Sequence, residues 1–121
     1  MTTHRFRKEE RLTRPSDIKR VFDRRCSVSD GILIVYGLPN EKGFCRLGLS
    51  VSRKAGSAVR RNRLRRLYRE AFRLSRGEMP VGLDLVLVPR GDAEPSLDDL
   101  RLALPTLVYA LARRLARKEK A

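Results

Sequence analysis

Apolar positions along this chain recur with two periods, and the change from one to the other marks the elements. In "PSDIKRVFDRR", Ile18, Val21 and Phe22 follow the i, i+3, i+4 spacing of one helix face, and Pro15 suits a first turn. "GILIVYGL" (Gly31 to Leu38) is short and β-branched, the signature of a strand, and "PNEKG" (Pro39 to Gly43) supplies turn chemistry. "FCRLGLSVS" alternates: Cys45, Leu47, Leu49 and Val51 point one way, Arg46, Gly48, Ser50 and Ser52 the other. The pattern predicts that these two strands pair as an antiparallel hairpin. The loop "RKAGS" then leads to Ser57, a suitable N-cap for a helix over Ala58 to Arg76. A third strand follows at "LDLVLVP" (Leu83 to Pro89). Ser96, with Asp99 three residues on, has the pattern of a capping box opening a last helix, which Pro105 should kink or divide. The predicted order is α-β-β-α-β-α: an α+β sandwich with helices over a small, mostly antiparallel sheet.

The 121 residues suit one domain, 1–121, with residues 1–14 and 118–121 expected to be loosely ordered. Apolar residues make up 41% of the chain, enough for a folded core. Charge changes the picture more. Lys and Arg number 28 against 14 Asp and Glu, a net charge of +14, which points to an anionic partner and most often to nucleic acid. The N-terminal stretch lacks the apolar core of a signal peptide, and the longest nearly apolar run, "ALPTLVYALA", is too short to span a bilayer. A cytoplasmic location with no membrane partner is expected. Cys26 and Cys45 lie far apart and read as small hydrophobes in a reducing compartment.

The charge is concentrated in "AVRRNRLRRLYREAFRLSR", where eight arginines stand against one acid, Glu70. Leu64, Leu67, Tyr68, Ala71 and Leu74 form an apolar stripe. Asn62, Arg65, Arg66, Arg69, Arg73 and Arg76 gather opposite it, Arg61 and Arg63 flank it, and Arg60 lies over it at the first turn. Most charge runs are solvated faces, but those usually mix signs. Here Arg61, Arg65 and Arg69 stack at i, i+4 with no acid between them, beside the positive end of the helix dipole. Such a row makes a phosphate cradle. A strand and a basic loop precede it, not the helix and turn of a major-groove reader, which favours folded RNA over DNA.

Catalytic constellations are lacking in the sequence. His4 is the one histidine, the carboxylates are scattered, and no phosphate-binding glycine motif is present. Catalytic residues and a protein-held metal are both read as none. Ile32, Ile34 and Tyr36 share a strand face, and Phe22 shares a helix face with Ile18. Periodicity favours plain packing for them over an open groove in which a base stacks.

The run "SVSRKAGSAVRRNRLRRLYREAFR" resembles the signature of the bacterial ribonuclease P protein component, the small basic subunit that assists a catalytic RNA. Arg53, Lys54, Gly56, Ala58, Val59, Arg61, Asn62, Arg63, Leu64, Arg65, Arg66 and Arg69 carry the match, and "RLTRPSDIKRVF" resembles the family's opening helix. The resemblance implies an α/β sandwich with an unusual left-handed βαβ crossover. It also implies a role in 5′ maturation of tRNA within an endoribonuclease whose centre is RNA, with Mg²⁺ bound mainly by that RNA. Contacts to the RNA subunit would fall to Arg53, Lys54, Arg60, Arg61, Asn62, Arg63, Arg65, Arg66, Arg69 and Arg73. A cleft for the single-stranded 5′ leader of precursor tRNA would be lined by Ile18, Phe22, Tyr36 and Ser50, with Arg61, Asn62, Arg66 and Arg69 near its rim. Ile18 stands where relatives often have Phe, and Arg60 adds a charge where some are apolar. The implied partners are the RNA subunit and precursor tRNA, with no dedicated protein partner. The rival readings are a ribosomal-type structural RNA binder with no part in cleavage, a protein-only nuclease and a transcriptional regulator.

Overall fold

Leu83–Pro89 is a nearly unbroken apolar run, and its burial decides the topology. In the computed structural model, which describes residues 7–120, this run is strand β4, with Leu83 through Leu87 all buried. A strand that is apolar on both faces belongs inside a sheet. The other strands are β1 (Ser27–Ser29), β2 (Leu33–Pro39) and β3 (Arg46–Leu49), and the sheet order is β1-β2-β4-β3. β4 pairs antiparallel with β2 from Leu33 opposite Pro89 to Pro39 opposite Leu83, and parallel with β3.

The predicted β2–β3 hairpin is therefore absent, because β4 lies between the two strands. The loop after β2 is not a tight turn but a bridge over an intervening strand. It is held by Asn40, whose backbone N–H donates to Gly82 O and whose side chain donates to Phe44 O. The hairpin that does form joins β1 to β2, and β1 was not predicted. Its signal is Asp30-Gly31, a turn dipeptide. Asp30 Oδ1 accepts from the Ile32 and Leu33 backbone N–H groups. The described order thus has three strands before the arginine-rich helix rather than two.

That helix, α2 (Ala58–Ser75), and the last helix, α3 (Leu97–Lys120), cover one face of the sheet. Leu33, Val35, Leu47, Leu85 and Leu87 meet Leu64, Tyr68, Phe72, Leu104, Val108 and Leu111 there. Ile32 packs with this cluster, not beside Ile34 and Tyr36 as the alternation suggested. Gly37 belongs here too: a Cβ on it would lie 2.4 Å from Leu111 Cδ2, so the glycine lets α3 lie close. Ser57 Oγ accepts from the Arg60 N–H at the start of α2, as expected of an N-cap. Ser96 and Asp99 exchange side-chain-to-backbone bonds of 3.0 Å, which completes the predicted box at α3. Pro105 does not divide α3, which runs as one helix from Leu97 to Lys120. Leu100 and Leu104 before it and Leu107, Val108 and Leu111 after it are all buried, and that packing outweighs a penalty of about 3 kcal/mol for an internal proline.

Helix α1 (Pro15–Asp23) lies on the opposite face, where Val21, Leu12 and Val86 are buried with Ile18, Phe22, Tyr36, Leu38 and Val88 around them. The arm before α1 was expected to be loose through residue 14. Its described part instead forms a short 3-10 turn at Lys8–Glu10 and then runs beside β3, with Leu12 N–H donating to Leu47 O at 2.8 Å. Gly48 permits this: a Cβ there would sit 3.1 Å from Leu12 Cβ and 3.4 Å from Ile18 Cγ1. At the other end, α3 continues to Lys120.

Tyr68 is 1% exposed and its hydroxyl has no hydrogen-bond partner within the described residues. Burial pushes its phenol up to about 12, only partly opposed by the charge of Arg60. The unfolded chain ionises Tyr68 near pH 10 while the folded chain holds its proton, so stability falls as pH rises from about 10 towards 12. Tyr68→Phe should remove that alkaline loss, on the order of 2–3 kcal/mol, and cost nothing at pH 7. Urea unfolding of both proteins at pH 7 and pH 11 checks this; equal alkaline losses would contradict it.

Candidate nucleic-acid interface

The eight arginines from Arg60 to Arg76 divide into two sets of four. Arg60 and Arg63 share Glu94, from the loop before α3, with 2.7 Å contacts. Arg73 pairs with Glu70, and Arg76 with Glu10 of the arm. Arg61, Arg65, Arg66 and Arg69 have no acid partner among the described residues. The pairing acids lie at long range except for Glu70, which is why the sequence shows a run with almost no compensation. Arg73, read as an open cation, is instead neutralised by Glu70, and the bond from Arg73 holds that carboxyl below the usual range.

The unpaired set is contiguous on α2. Arg66 and Arg69 are exposed, and Arg65 is half-buried, donating to Asn62 Oδ1 at 2.9 Å and to Val51 O at 3.2 Å. Asn62 is thereby turned towards Arg65. Arg61 is half-buried, and its Nε is shielded from solvent without a hydrogen-bond acceptor. A buried guanidinium donor without an acceptor is costly. Arg53 and Lys54 are exposed on the 3-10 turn Arg53–Ala55 just before the helix.

Arg60 was expected to lie open over the first turn. Its side chain is only 20% exposed and acts as a clasp. Nη1 donates to Ala55 O, Nη2 to Ala93 O and Nε to Glu94 Oε1, joining the basic loop, the helix start and the loop before α3. The bond from Arg60, backed by the charges of Arg60 and Arg63, holds Glu94 below the usual carboxylate range. A lowered carboxyl stabilises above its unfolded pKa, so the Glu94 arm of the clasp is intact at neutral pH and weakens as acid protonates the carboxylate, while the two bonds to backbone carbonyls do not titrate.

Two concavities flank the unpaired arginines. One, of about 250 Å³, is lined by Ile18, Leu12, Leu49, Arg65 and Arg69 among others. A second, of about 520 Å³, holds Arg66, Arg69, Arg73 and Arg11. Arg69 borders both. Beneath α1, the Phe22 and Tyr36 rings meet edge-to-face with centroids 4.7 Å apart, both half-buried. Ser50 is half-buried on β4's flank, its N–H donating to Leu87 O at 3.0 Å. The structure therefore groups Ile18, Phe22 and Tyr36 against one small cluster, and sets Ser50 at the edge of the sheet.

A third feature was not foreseen. Asp84, buried at the start of β4, takes a bidentate pair from Arg46 at 2.8 and 2.6 Å and a bond from Asn40 Nδ2 at 2.9 Å. The pair raises Arg46 above its already high value. It floors an open cleft of about 870 Å³ between the arm, α1 and the loop after β2. Its signal in the sequence is one aspartate inside an otherwise apolar strand.

Comparison with known proteins decides the family. The model of the family described as Ribonuclease P matches residues 6–112. The chain belongs to the ribonuclease P protein family. Ribonuclease P protein components similar to it include that of Pelotomaculum thermopropionicum, 49% identical over 81 residues, 67% of this chain and 72% of the relative. That of Clostridioides difficile is 34% identical over 105 residues, 85% and 92% of the two chains. Among solved structures, the ribonuclease P protein of Thermotoga maritima is similar with a TM-score of 0.74 and 34% identity over 82% of this chain and 94% of that one. The Staphylococcus aureus ribonuclease P protein gives 0.71 and 27%, over 84% and 94%. As a member of the ribonuclease P family, the chain is a subunit of an endoribonuclease acting in tRNA 5′ processing. No described helix is long and apolar enough to cross a membrane.

Within the ribonuclease P fold, Arg60 thus serves placement of the basic loop. Arg60→Ala should speed amide hydrogen exchange at residues 53–56 and 93–95 while leaving the α2 interior protected. Arg66→Ala, at an exposed position, should change neither. Equal protection of the loop in both variants, read by mass spectrometry, would show that the clasp does not order it.

Proposed function

We propose that this chain holds the ribonuclease P RNA subunit through Arg53, Lys54, Arg61, Asn62, Arg65, Arg66 and Arg69, and guides the 5′ leader of precursor tRNA along the groove beside α1. The observation that carries this reading is the segregation on α2: four arginines paired with three acids of the protein, four contiguous ones left for an outside anion. Arg60, Arg63 and Arg73, first read as RNA contacts, support the surface by fixing its geometry.

In this reading the protein supplies binding and orientation, and hydrolysis of the phosphodiester uses Mg²⁺ held by the RNA. Among the described residues no three His, Cys, Asp or Glu side chains converge as metal ligands, and His4 lies outside them. Arginine forks contact backbone phosphates, which fixes position without reading sequence. The half-buried ring pair of Phe22 and Tyr36 offers an edge on which an unpaired base stacks, with Ile18 extending the apolar wall. Ser50 and Arg69 lie within the same reading as polar contacts along the leader.

The direct test is cleavage of precursor tRNA at low Mg²⁺ by a bacterial ribonuclease P RNA, with and without this protein. The protein should enable correct 5′ cutting by the RNA, and should cut nothing by itself. Site-specific cleavage by RNA-free protein, or no effect on the RNA, would defeat the proposal; binding of ribosomal RNA in place of ribonuclease P RNA would favour a structural role.

The leader groove has its own test. Tyr36→Ala in the assembled enzyme should weaken binding of precursor tRNA by about 1–3 kcal/mol, the worth of one stacked base, and leave mature tRNA unchanged. Dissociation constants for both RNAs, beside a melting curve, make the comparison. Equal losses on both, with a lowered Tm, would return Tyr36 to a packing role alone.

A further inference from the structure

Far from α2, at the β1 edge of the sheet, a groove of about 490 Å³ is lined by Arg25, Ser27, Arg114, Arg117 and Lys118. No carboxylate lines it among the described residues. Of the acids near it in the chain, Asp23 pairs with Lys19 and Asp30 with its own turn, while Glu119 follows Lys118 in the sequence. Arg90 extends the cationic surface along the same strand, donating to Ser29 Oγ at 2.8 Å.

Cations in the last turns of α3 would on their own be ordinary compensation of the helix dipole. That explanation does not reach Arg25, from the turn after α1, or Arg90, from the end of β4. Nor does it account for how the helix cations are held. Arg114 donates to Ser27 O and Lys118 to Arg25 O, so both exposed heads are held at the groove by backbone carbonyls. Arg25 sits at φ 56°, a left-handed conformation that non-glycine residues adopt at a cost. Beside it, Arg24 has Nε and Nη2 shielded from solvent without a hydrogen-bond partner. Like charges have thus been brought together and pinned, with cationic donors left over.

We infer that this groove is a second phosphate-binding surface, which takes the sugar–phosphate backbone of an RNA segment distinct from the one on α2. Arginine and lysine heads, serine hydroxyls and the open edge of a short strand are the donors that backbone contacts use. No apolar side chain lines the groove, which argues against insertion into a lipid surface. β1 and β3 are the two edges of the sheet, three strand spacings or about 14 Å apart. The protein then bridges two parts of a folded RNA across its own sheet. The inference rests on the proposed reading that the chain binds structured RNA.

The test uses the full chain and a folded bacterial ribonuclease P RNA. Arg25→Ala/Arg117→Ala should lower affinity and reduce the slope of log affinity against log salt by about 1.5, two phosphate contacts' worth. Arg66→Ala/Arg69→Ala on α2 serves as comparison, and circular dichroism melting verifies that both double variants fold. If the α2 variant loses slope and the groove variant does not, the groove is solvated surface and the inference fails while the α2 reading stands. If neither loses slope, the reading it rests on fails with it. A second measurement locates the RNA. Cys26 and Cys45 are buried, so an iron chelate can be attached to Arg117→Cys alone. Cleavage of an RNA segment different from that cut from Arg66→Cys is expected. The same segment cut from both positions, no cutting from Arg117→Cys, or retention of acidic phospholipid vesicles by the groove with RNA binding unchanged would each overturn it.

Discussion

The pairing of β4 between β2 and β3 is the constraint on which the rest of this molecule depends. Because Leu83–Pro89 is buried on both faces, it cannot be an edge, and β3 is left to join it in parallel. A parallel neighbour needs a crossover, and the chain between β3 and β4 is the basic loop followed by α2. The arginine helix is thus where it is because an apolar strand needed two partners. Its apolar stripe faces Leu47, Leu85 and Leu87, so its charged positions are turned outwards.

Like charge at that density opposes folding, and the structure relieves it locally and not throughout. Glu94, Glu70 and Glu10 reach the two ends and one flank of α2, while the middle of the outer face is left uncompensated. Glu10 is buried with Arg76, whereas the exposed pairs, Arg63 with Glu94 and Arg73 with Glu70, contribute little to stability individually. Their larger effect here is positional, since the Arg60 fork spans two loops with three acceptors. The unpaired middle leaves the outer face of the helix cationic.

Much of this was legible in the sequence because it depended on local periodicity. The two long helices, their Ser57 and Ser96 caps, the alternation in β3 and the split of α2 into apolar and basic sides all follow from spacing and turn chemistry. The family was legible as well, since its signature is a contiguous run. What escaped depends on contacts between distant residues. Alternation tells which way the side chains of β3 point but not which strand lies beside it, so the insertion of β4 was missed. Glu94 and Glu10 lie 34 and 66 residues from the arginines they meet, beyond any i, i+4 reasoning. The arm looked loose because its one buried leucine carries no pattern, although Gly48, the residue that admits it, stood in plain view. Pro105 does not divide α3 because buried leucines on both sides of it hold the helix together, which a propensity penalty alone does not weigh.

The clasp made by Arg60 has a consequence for how this protein varies. Glu94 sits in a short connecting loop, a kind of place where substitutions are usually tolerated. With Arg60 present that loop is coupled to the basic turn at residues 53–55, and Glu94 is the acid that pairs with Arg60 among the described residues. Losing the glutamate alone would strand a half-buried cation; losing the arginine alone would leave Glu94 facing Arg63. A change at either position, far apart in sequence, therefore loosens both loops, although Glu94 keeps Arg63 as a partner when Arg60 is lost.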